Sequence, residues 1–410
     1  MKKIFLLLMA MTTIVACQKE FVADVIAPTQ EVGMGSEAIS TTRSYEEALS
    51  IAEEVLSNID TRSKTRTVKS YEYYVAKPAT RSQADTIEVA FHLINYDNNG
   101  GYALVPADNR TTDVYMYSDV GQISVDDFEN KAGLSIFKEA AIEYYQAEVR
   151  GEMPLTIPSN TPIIPIERPD ILNLPLEYYN GNYYFCKTET FQISQEPMIH
   201  CYWNQGYPYN TINGVAFCPY TGCGINSIGQ IMSYHKYPQS YGTSVYDWDL
   251  MTANSTHSTE NAATNMIAQL MYDIGDYLNV DYEIDHTSTT SEQSRQALLE
   301  FGYTAGNFRS FSTSEVINEL DAERPIWIRG EDISGGGHAW AIDGYQGQKI
   351  TKTYYETTAP YLICFSTTSY QVEFRNVWGY LNLDYSYTIP FDFRGQNYDV
   401  SIMKNIRPNN

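Results

Sequence analysis

Apolar residues recur along this chain with two periods, and the changes between them divide it. Ser44-Tyr-Glu-Glu47 is a capping box, and Leu49, Ala52, Val55 and Leu56 behind it share one side of a helix. Ile87, Val89, Phe91 and Leu93 then alternate as a strand, 97–101 makes a turn, and 102–106 returns the chain as a hairpin. Residues 114–117 offer another short strand, and 132–150 is helical, with Leu134, Phe137, Ala140, Ala141 and Tyr144 available for packing. Prolines at 154, 158, 162, 165 and 169 exclude a regular helix or a central strand there, so this is an extended connector. Beyond it, Ile225, Ile228, Ile231 and Met232 mark one helix, which must end at Tyr237-Pro238. Further helices follow over 261–279, from Glu292 to Phe301, and over 314–320, before a strand-like run at 325–329 and an aromatic, β-prone tail past His338. Helices first and strands after predict an α+β fold rather than an alternating one.

The N-terminus has a different pattern. Met1-Lys-Lys is followed by a short apolar run and small residues, a secretory signal too short for an ordinary membrane span. Ile14-Val-Ala-Cys17 looks like a bacterial lipobox, so the expectation is a signal over 1–16, a lipid on Cys17 and a tether to residue 40. That predicts an exported protein held at the cell envelope, on the outer membrane or cell surface, and open to release on processing. The expected domains are then a unit of helices and strands over 41–150, the connector over 151–190, and a second domain over 191–410.

Composition narrows the partners. Twenty-seven Lys+Arg against 50 Asp+Glu leave a formal charge of −23, the wrong sign for a nucleic-acid surface. Thirty-five tyrosines fit a β-rich exported protein. Export puts the cysteines in an oxidising compartment, and Cys186, Cys201, Cys218 and Cys364 allow three pairings that their spacing does not separate. Buried, free thiols are the expectation for these four. No H-E-x-x-H, Walker A or EF-hand sequence occurs, so no metal or cofactor is expected.

The candidate chemistry centres on Gly222-Cys223-Gly224, where the first helix of the second domain begins. The helix dipole and free backbone N–H groups there favour thiolate, although a cysteine in this place also serves as a buried cap. A nucleophilic thiol needs an imidazole within reach. His235 lies on the same helix at a rise of about 18 Å and cannot supply it. His92 sits on a strand of the first domain, where a half-exposed structural role is expected. His338 follows Gly335-Gly-Gly337 and opens the run Ala-Trp-Ala-Ile-Asp343-Gly-Tyr345, a rigid base beside a loop without side chains. Asp343 reads as a turn cap.

Three stretches resemble the streptopain-type cysteine peptidases: Trp203-Asn-Gln205-Gly-Tyr-Pro-Tyr-Asn210, Gly222-Cys223 with 230–238, and Gly335-Gly-Gly-His338-Ala-Trp-Ala-Ile-Asp343. The run 95–108 resembles that family's inhibitory propeptide. The resemblance implies a papain-like α+β fold, hydrolysis of peptide bonds in protein or peptide substrates, and inhibition by the protein's own propeptide. By the same resemblance Cys223 is the nucleophile, His338 the base, Gln205 the oxyanion-hole amide and Trp378 the shield over the histidine. The chain departs from the pattern in three places. Val377 stands where the family has an asparagine, with Asn376 one position early. Gly224 replaces a bulkier apolar residue, and 346–369 looks like an insertion. Two alternatives stay open: an impaired homologue acting as a surface binding or protease-inhibitor protein, and a thiol acyltransferase or amidase.

Overall fold

The computed structural model describes residues 41–59, 66–76, 87–152, 157–159, 173–180, 182–282, 287, 289–355, 364–392 and 398–409. The signal, tether and Cys17 lie outside them. The first helix, α1 (Tyr45–Ile59), starts as its capping box predicts: Glu47 N–H donates to Ser44 Oγ at 3.2 Å, and Ser44 N–H to Glu47 Oε2 at 2.7 Å. Four strands follow, β1 (Val68–Val75), β2 (Ala90–Tyr96), β3 (Tyr102–Pro106) and β4 (Met116–Ser118), then α2 (Val125–Asn130) and α3 (Ala132–Val149). The alternation read at 87–93 predicts one wet face for β2, but every residue of β2 is buried. Ile94 and Tyr96 pack on Ala48, Ala52 and Leu56 of α1, while Phe91 and Leu93 join the core that includes Leu134 and Phe137 of α3. With helices on both faces, a strand needs apolar residues at consecutive positions.

β1 has no sequence expectation behind it, because Val-Lys-Ser-Tyr-Glu-Tyr-Tyr-Val is polar and mostly exposed, as an edge strand tolerates. β1 covers His92, which is buried rather than half-exposed. The imidazole Nδ1 lies 3.0 Å from Tyr71 Oη, and Nε2 lies 3.2 Å from the Arg43 carbonyl.

Past the connector come α4 (Cys223–His235), α5 (Ala262–Leu278), α6 (Ser291–Glu300) and α7 (Thr313–Leu320), close to the expected bounds. Thr290 and Asn261 cap α6 and α5 through capping boxes. The connector is not extended chain throughout. It contains β5 (Ile157–Ser159), β6 (Leu176–Tyr179) and the start of β7 (Asn182–Gln195), which crosses the expected boundary at 190/191. The tail forms β8 (Ile326–Asp332), β9 (Gly337–Tyr355), β10 (Cys364–Tyr380), β11 (Leu383–Thr388) and β12 (Tyr398–Met403). Of the segment that looked like an insertion, the described residues 346–355 and 364–369 pair as the outer part of the β9–β10 ladder, with β7 on the other side of β9 and β5 on the other side of β10.

One 13-stranded sheet runs through both halves in the order β1-β2-β3-β4-β11-β10-β9-β8-β12 and a two-residue strand at 309–310, with β5, β6 and β7 off this path. The halves meet where β4 adds to β11, with Tyr117 opposite Tyr387 and Met116 opposite Thr388. Cys186, Cys201 and Cys218 are buried free thiols. β9 separates the backbones of Cys186 and Cys364, which pair with Tyr354 and Tyr355. Two strand spacings are about 9–10 Å, beyond the Cα reach of a disulfide.

Asp343 does not cap a turn. It sits at an irregularity in the β9–β10 register, is fully buried, and its Oδ2 accepts from Arg375 Nη1 at 2.7 Å and from the Met198 and Ile199 N–H groups at 3.1 and 2.7 Å. Arg375 is equally buried, bonds the Tyr202 hydroxyl at 2.7 Å, and lies 3.9 Å from the Tyr385 ring centre. Arg375→Met leaves that carboxylate unpaired, so the unfolding free energy should fall by about 3–5 kcal/mol in chemical denaturation. Adding Asp343→Asn removes the stranded charge and keeps an acceptor for both N–H groups, so the double variant should recover part of the loss.

Candidate active site

Cys223 is the first residue of α4, a helix that is buried over most of its length between the sheet and α5. Two of its side chains anchor the neighbouring loop: Asn226 Nδ2 and Gln230 Nε2 both donate to the Trp203 carbonyl at 2.8 Å. Two residues on, the Gln205 carbonyl accepts from Thr221 N–H at 2.9 Å. Gln205 is thereby tied to the segment that delivers Cys223, and both line one cleft of about 1840 Å³. Gly224 has a local reason to be glycine, because Thr289 Oγ1 occupies the space a Cβ would need. The bulkier residue of the family pattern has no room against this wall.

His338 opens β9 on the other side of the same cleft. It is 3% exposed, and its Nε2–H donates to the Trp378 main-chain carbonyl at 2.8 Å. Asn376 does not orient the imidazole. Its Oδ1 accepts from Trp340 Nε1 at 2.8 Å, while its Nδ2 donates to the Phe374 carbonyl and to Thr388 Oγ1, each at 2.9 Å. Val377 faces the core with Trp203 and Ile228. Trp378 does flank the histidine, at 6.5 Å between ring centres, but Tyr380 stacks closer, at 4.4 Å and 11°. The sequence marked Trp378 and passed over Tyr380, two residues further on.

A second missed residue is Gly133, at the start of α3. A Cβ there would lie 2.7 Å from His338 Cδ2 and 3.1 Å from Trp378 Cζ3, and its N–H donates to the Tyr380 hydroxyl at 3.2 Å. The helix backbone itself is pressed against the imidazole. Ser135 Oγ donates to Asp332 Oδ2 at 2.8 Å and Ile136 packs on Gly330, so α3 is fastened along β8. Asn130, Lys131 and Ala132 line the cleft together with Cys223.

Desolvation shifts both titrating groups toward their neutral forms. His338 is pushed down to about 4 by desolvation, only partly offset by its bond to Trp378. Desolvation also pushes the Cys223 thiol up, against the pull of N–H groups from Ala339, Gly224 and Cys223 itself and of the Arg329 charge. No hydrogen bond joins the thiol to the imidazole. Desolvation thus favours the neutral form of each group in this closed arrangement, against the thiolate that the helix start alone favours. His235, set aside on distance, is packed against Tyr234 and Tyr303, with its pKa pushed down to about 4 by burial.

Comparison with known proteins divides the chain along the same line. The model of the Peptidase C10 family matches residues 203–357, and that of the Spi protease inhibitor matches 36–144. Streptopain of Streptococcus pyogenes is 24% identical over 299 residues, which cover 62% of this chain and 68% of that protein. The thiol protease/hemagglutinin PrtT of Porphyromonas gingivalis is 24% identical over 307 residues, 67% of this chain and 32% of that one. A solved fragment of Prevotella intermedia prointerpain A aligns with a TM-score of 0.49 at 16% identity, covering 83% of this chain and all of the fragment. The part that carries Cys223 and His338 matches a cysteine-peptidase family and the part packed on His338 matches an inhibitor: the chain is a streptopain-type cysteine endopeptidase with an N-terminal inhibitor propeptide.

Proposed function

We propose that Cys223 is the nucleophile, His338 the general base and acid, and Gln205 the side-chain donor of the oxyanion hole, in a zymogen exported and lipid-anchored through Cys17. The observation that carries the catalytic reading is the convergence of Cys223, His338 and Gln205 on one cleft, His338 held by the Trp378 carbonyl and Gln205 by the Thr221 N–H. With α3 withdrawn, the imidazole takes the thiol proton and the sulfur attacks the substrate carbonyl. The negative oxygen is met by the Gln205 amide and by N–H groups at the start of α4. His338 returns the proton to the leaving amine, and water then hydrolyses the thioester. Trp378 and Tyr380 wall the imidazole and hold its plane.

In a chain cut between 151 and 190, Cys223→Ala should abolish turnover of a fluorogenic peptide with the fold retained. His338→Ala should lower turnover by roughly 10²–10⁴-fold. His235→Ala should cost stability through lost packing and keep turnover, and an essential His235 would sink the assignment.

Latency follows from the contact between Gly133 and the imidazole. In the uncut chain the raised thiol should alkylate with iodoacetamide only as pH becomes alkaline. After cutting, an imidazolium partner should bring alkylation down to mildly acidic pH. Gly133→Leu favours the helix yet overlaps the imidazole, so it should raise turnover of uncut protein without cleavage. Equal latency in Gly133→Leu would remove this contact as the block.

The envelope reading rests on the apolar run before Cys17. In bacteria, Cys17→Ser should move the protein from the detergent-soluble membrane fraction to the soluble one and abolish labelling by a radiolabelled fatty acid. Unchanged labelling would refute the anchor.

A further inference from the structure

The cleft carries charged side chains that bond cleavage itself does not require, and among its described lining residues Arg329 is the one Arg. Arg329 and Glu331 are two residues apart on β8, project from the same face, and line the cleft with Cys223. Across the ladder Arg329 is opposite Ala339, Gly330 opposite His338, and Glu331 opposite Gly337. The guanidinium reaches over Gly337, its Nη2 3.6 Å from where a Cβ on that glycine would be. It therefore sits one residue from the imidazole, over a position without a side chain, and its charge is felt at Cys223.

Among the described residues Arg329 pairs with Glu331, at 2.6 Å, and the two side chains are 34% and 44% exposed. A pair so open to water is worth at most about 1 kcal/mol, so a competing carboxylate can displace Glu331 at small cost. The rest of the lining does not suit a bulky aliphatic group. Thr287 and the run 289–293 form the wall near Cys223, where the one carboxylate, Glu292, is engaged by Arg295 at 3.4 Å and Gln296 at 2.6 Å, and among the described lining residues the peptidase half contributes only Ala339 and Leu381 as aliphatic side chains. It contributes no other Lys or Arg there. The plug residue Lys131 is a cation paired to Asp127 at 2.8 Å, so the propeptide leaves Arg329 without a foreign carboxylate.

We propose that Arg329 is a specificity-determining residue that selects peptides with Asp or Glu close to the scissile bond, the substrate carboxylate replacing Glu331 on the guanidinium. This rests on Cys223 and His338 being the reacting pair. A guanidinium offers a carboxylate two parallel N–H donors, which a neutral side chain cannot use equally. The formal charge of −23 opposes acidic substrates at long range, but salt screens that repulsion over about 10 Å while the local bond persists.

The test uses the full chain cut in its connector and matched peptides with Glu, Leu or Lys at each position flanking the scissile bond. The readout is the ratio of kcat/KM values, because loss of the Arg329 field at Cys223 slows all peptides alike. Arg329→Met should lower the Glu-to-Leu ratio by about 10–100-fold at one position, the worth of a charged hydrogen bond. Arg329→Glu should turn the preference toward Lys. A ratio unaltered in Arg329→Glu overturns the proposal. A binding arm separates it from the catalytic reading: in cut Cys223→Ala protein, fluorescence anisotropy should show the Glu peptide binding more weakly once Arg329→Glu is added. Weakened binding with peptide cleavage persisting in Cys223→Ala protein would uphold Arg329 and sink the reacting pair; equal binding would sink the role of Arg329.

Discussion

The cleft geometry depends on a buried ion pair that touches neither the thiol nor the imidazole. Asp343 lies five residues after His338 on β9, and Arg375 lies three residues before Trp378 on β10. Their bond locks the two strands at the point where the ladder slips, and so sets the height of the Trp378 carbonyl opposite His338. The same carboxylate takes the Met198 and Ile199 N–H groups, at the head of the segment that leads to Trp203 and Gln205. Burying two charges is expensive, and an apolar pair is often as stable. What the ion pair adds here is registry: one carboxylate fixes three segments relative to one another.

Latency in this fold is a matter of dielectric as well as of blocked access. Gly133 and its neighbours exclude water from His338, and desolvation makes both its imidazole and the half-buried Cys223 thiol favour the neutral form. One pKa unit corresponds to about 1.4 kcal/mol between protonation states. A depression of His338 from 6.5 to about 4 therefore makes the imidazolium a few kcal/mol less accessible than in water. The propeptide needs no acidic residue at the imidazole to hold the enzyme silent. Backbone approach is enough, and only glycine at 133 permits an approach so close.

Much of this was legible in the sequence because local chemistry decided it. The capping box at Ser44 and the helical spacing from 261 and from Glu292 place three helix starts to within a residue or two. Gly335-Gly-Gly337 before His338 marks an open strand mouth, and the sheet has one there. The failures share a cause, since tertiary cover is invisible to local pattern. Alternation at 87–93 says nothing of a second helix on the far face, and nothing near His92 announces the edge strand that covers it. Asp343 reads as a turn cap because its partner is 32 residues away. Tyr380, Gly133 and Arg329 reach the cleft from separate elements, so no single motif contains them.

The displaced asparagine shows why a departure from a family motif need not disable a site. A side-chain acceptor for the imidazole must stand at one position and point one way, and here that position carries Val377, packed in the core. The acceptor is instead the Trp378 main-chain carbonyl, which any residue would supply once β10 is in register. Asn376, one step earlier and facing the other side, bonds the Trp340 indole and thereby steadies an aromatic neighbour of His338. Orientation of the histidine has passed from a side chain to the sheet. It then depends on what holds the sheet in register, which in this molecule is the buried pair of Asp343 and Arg375.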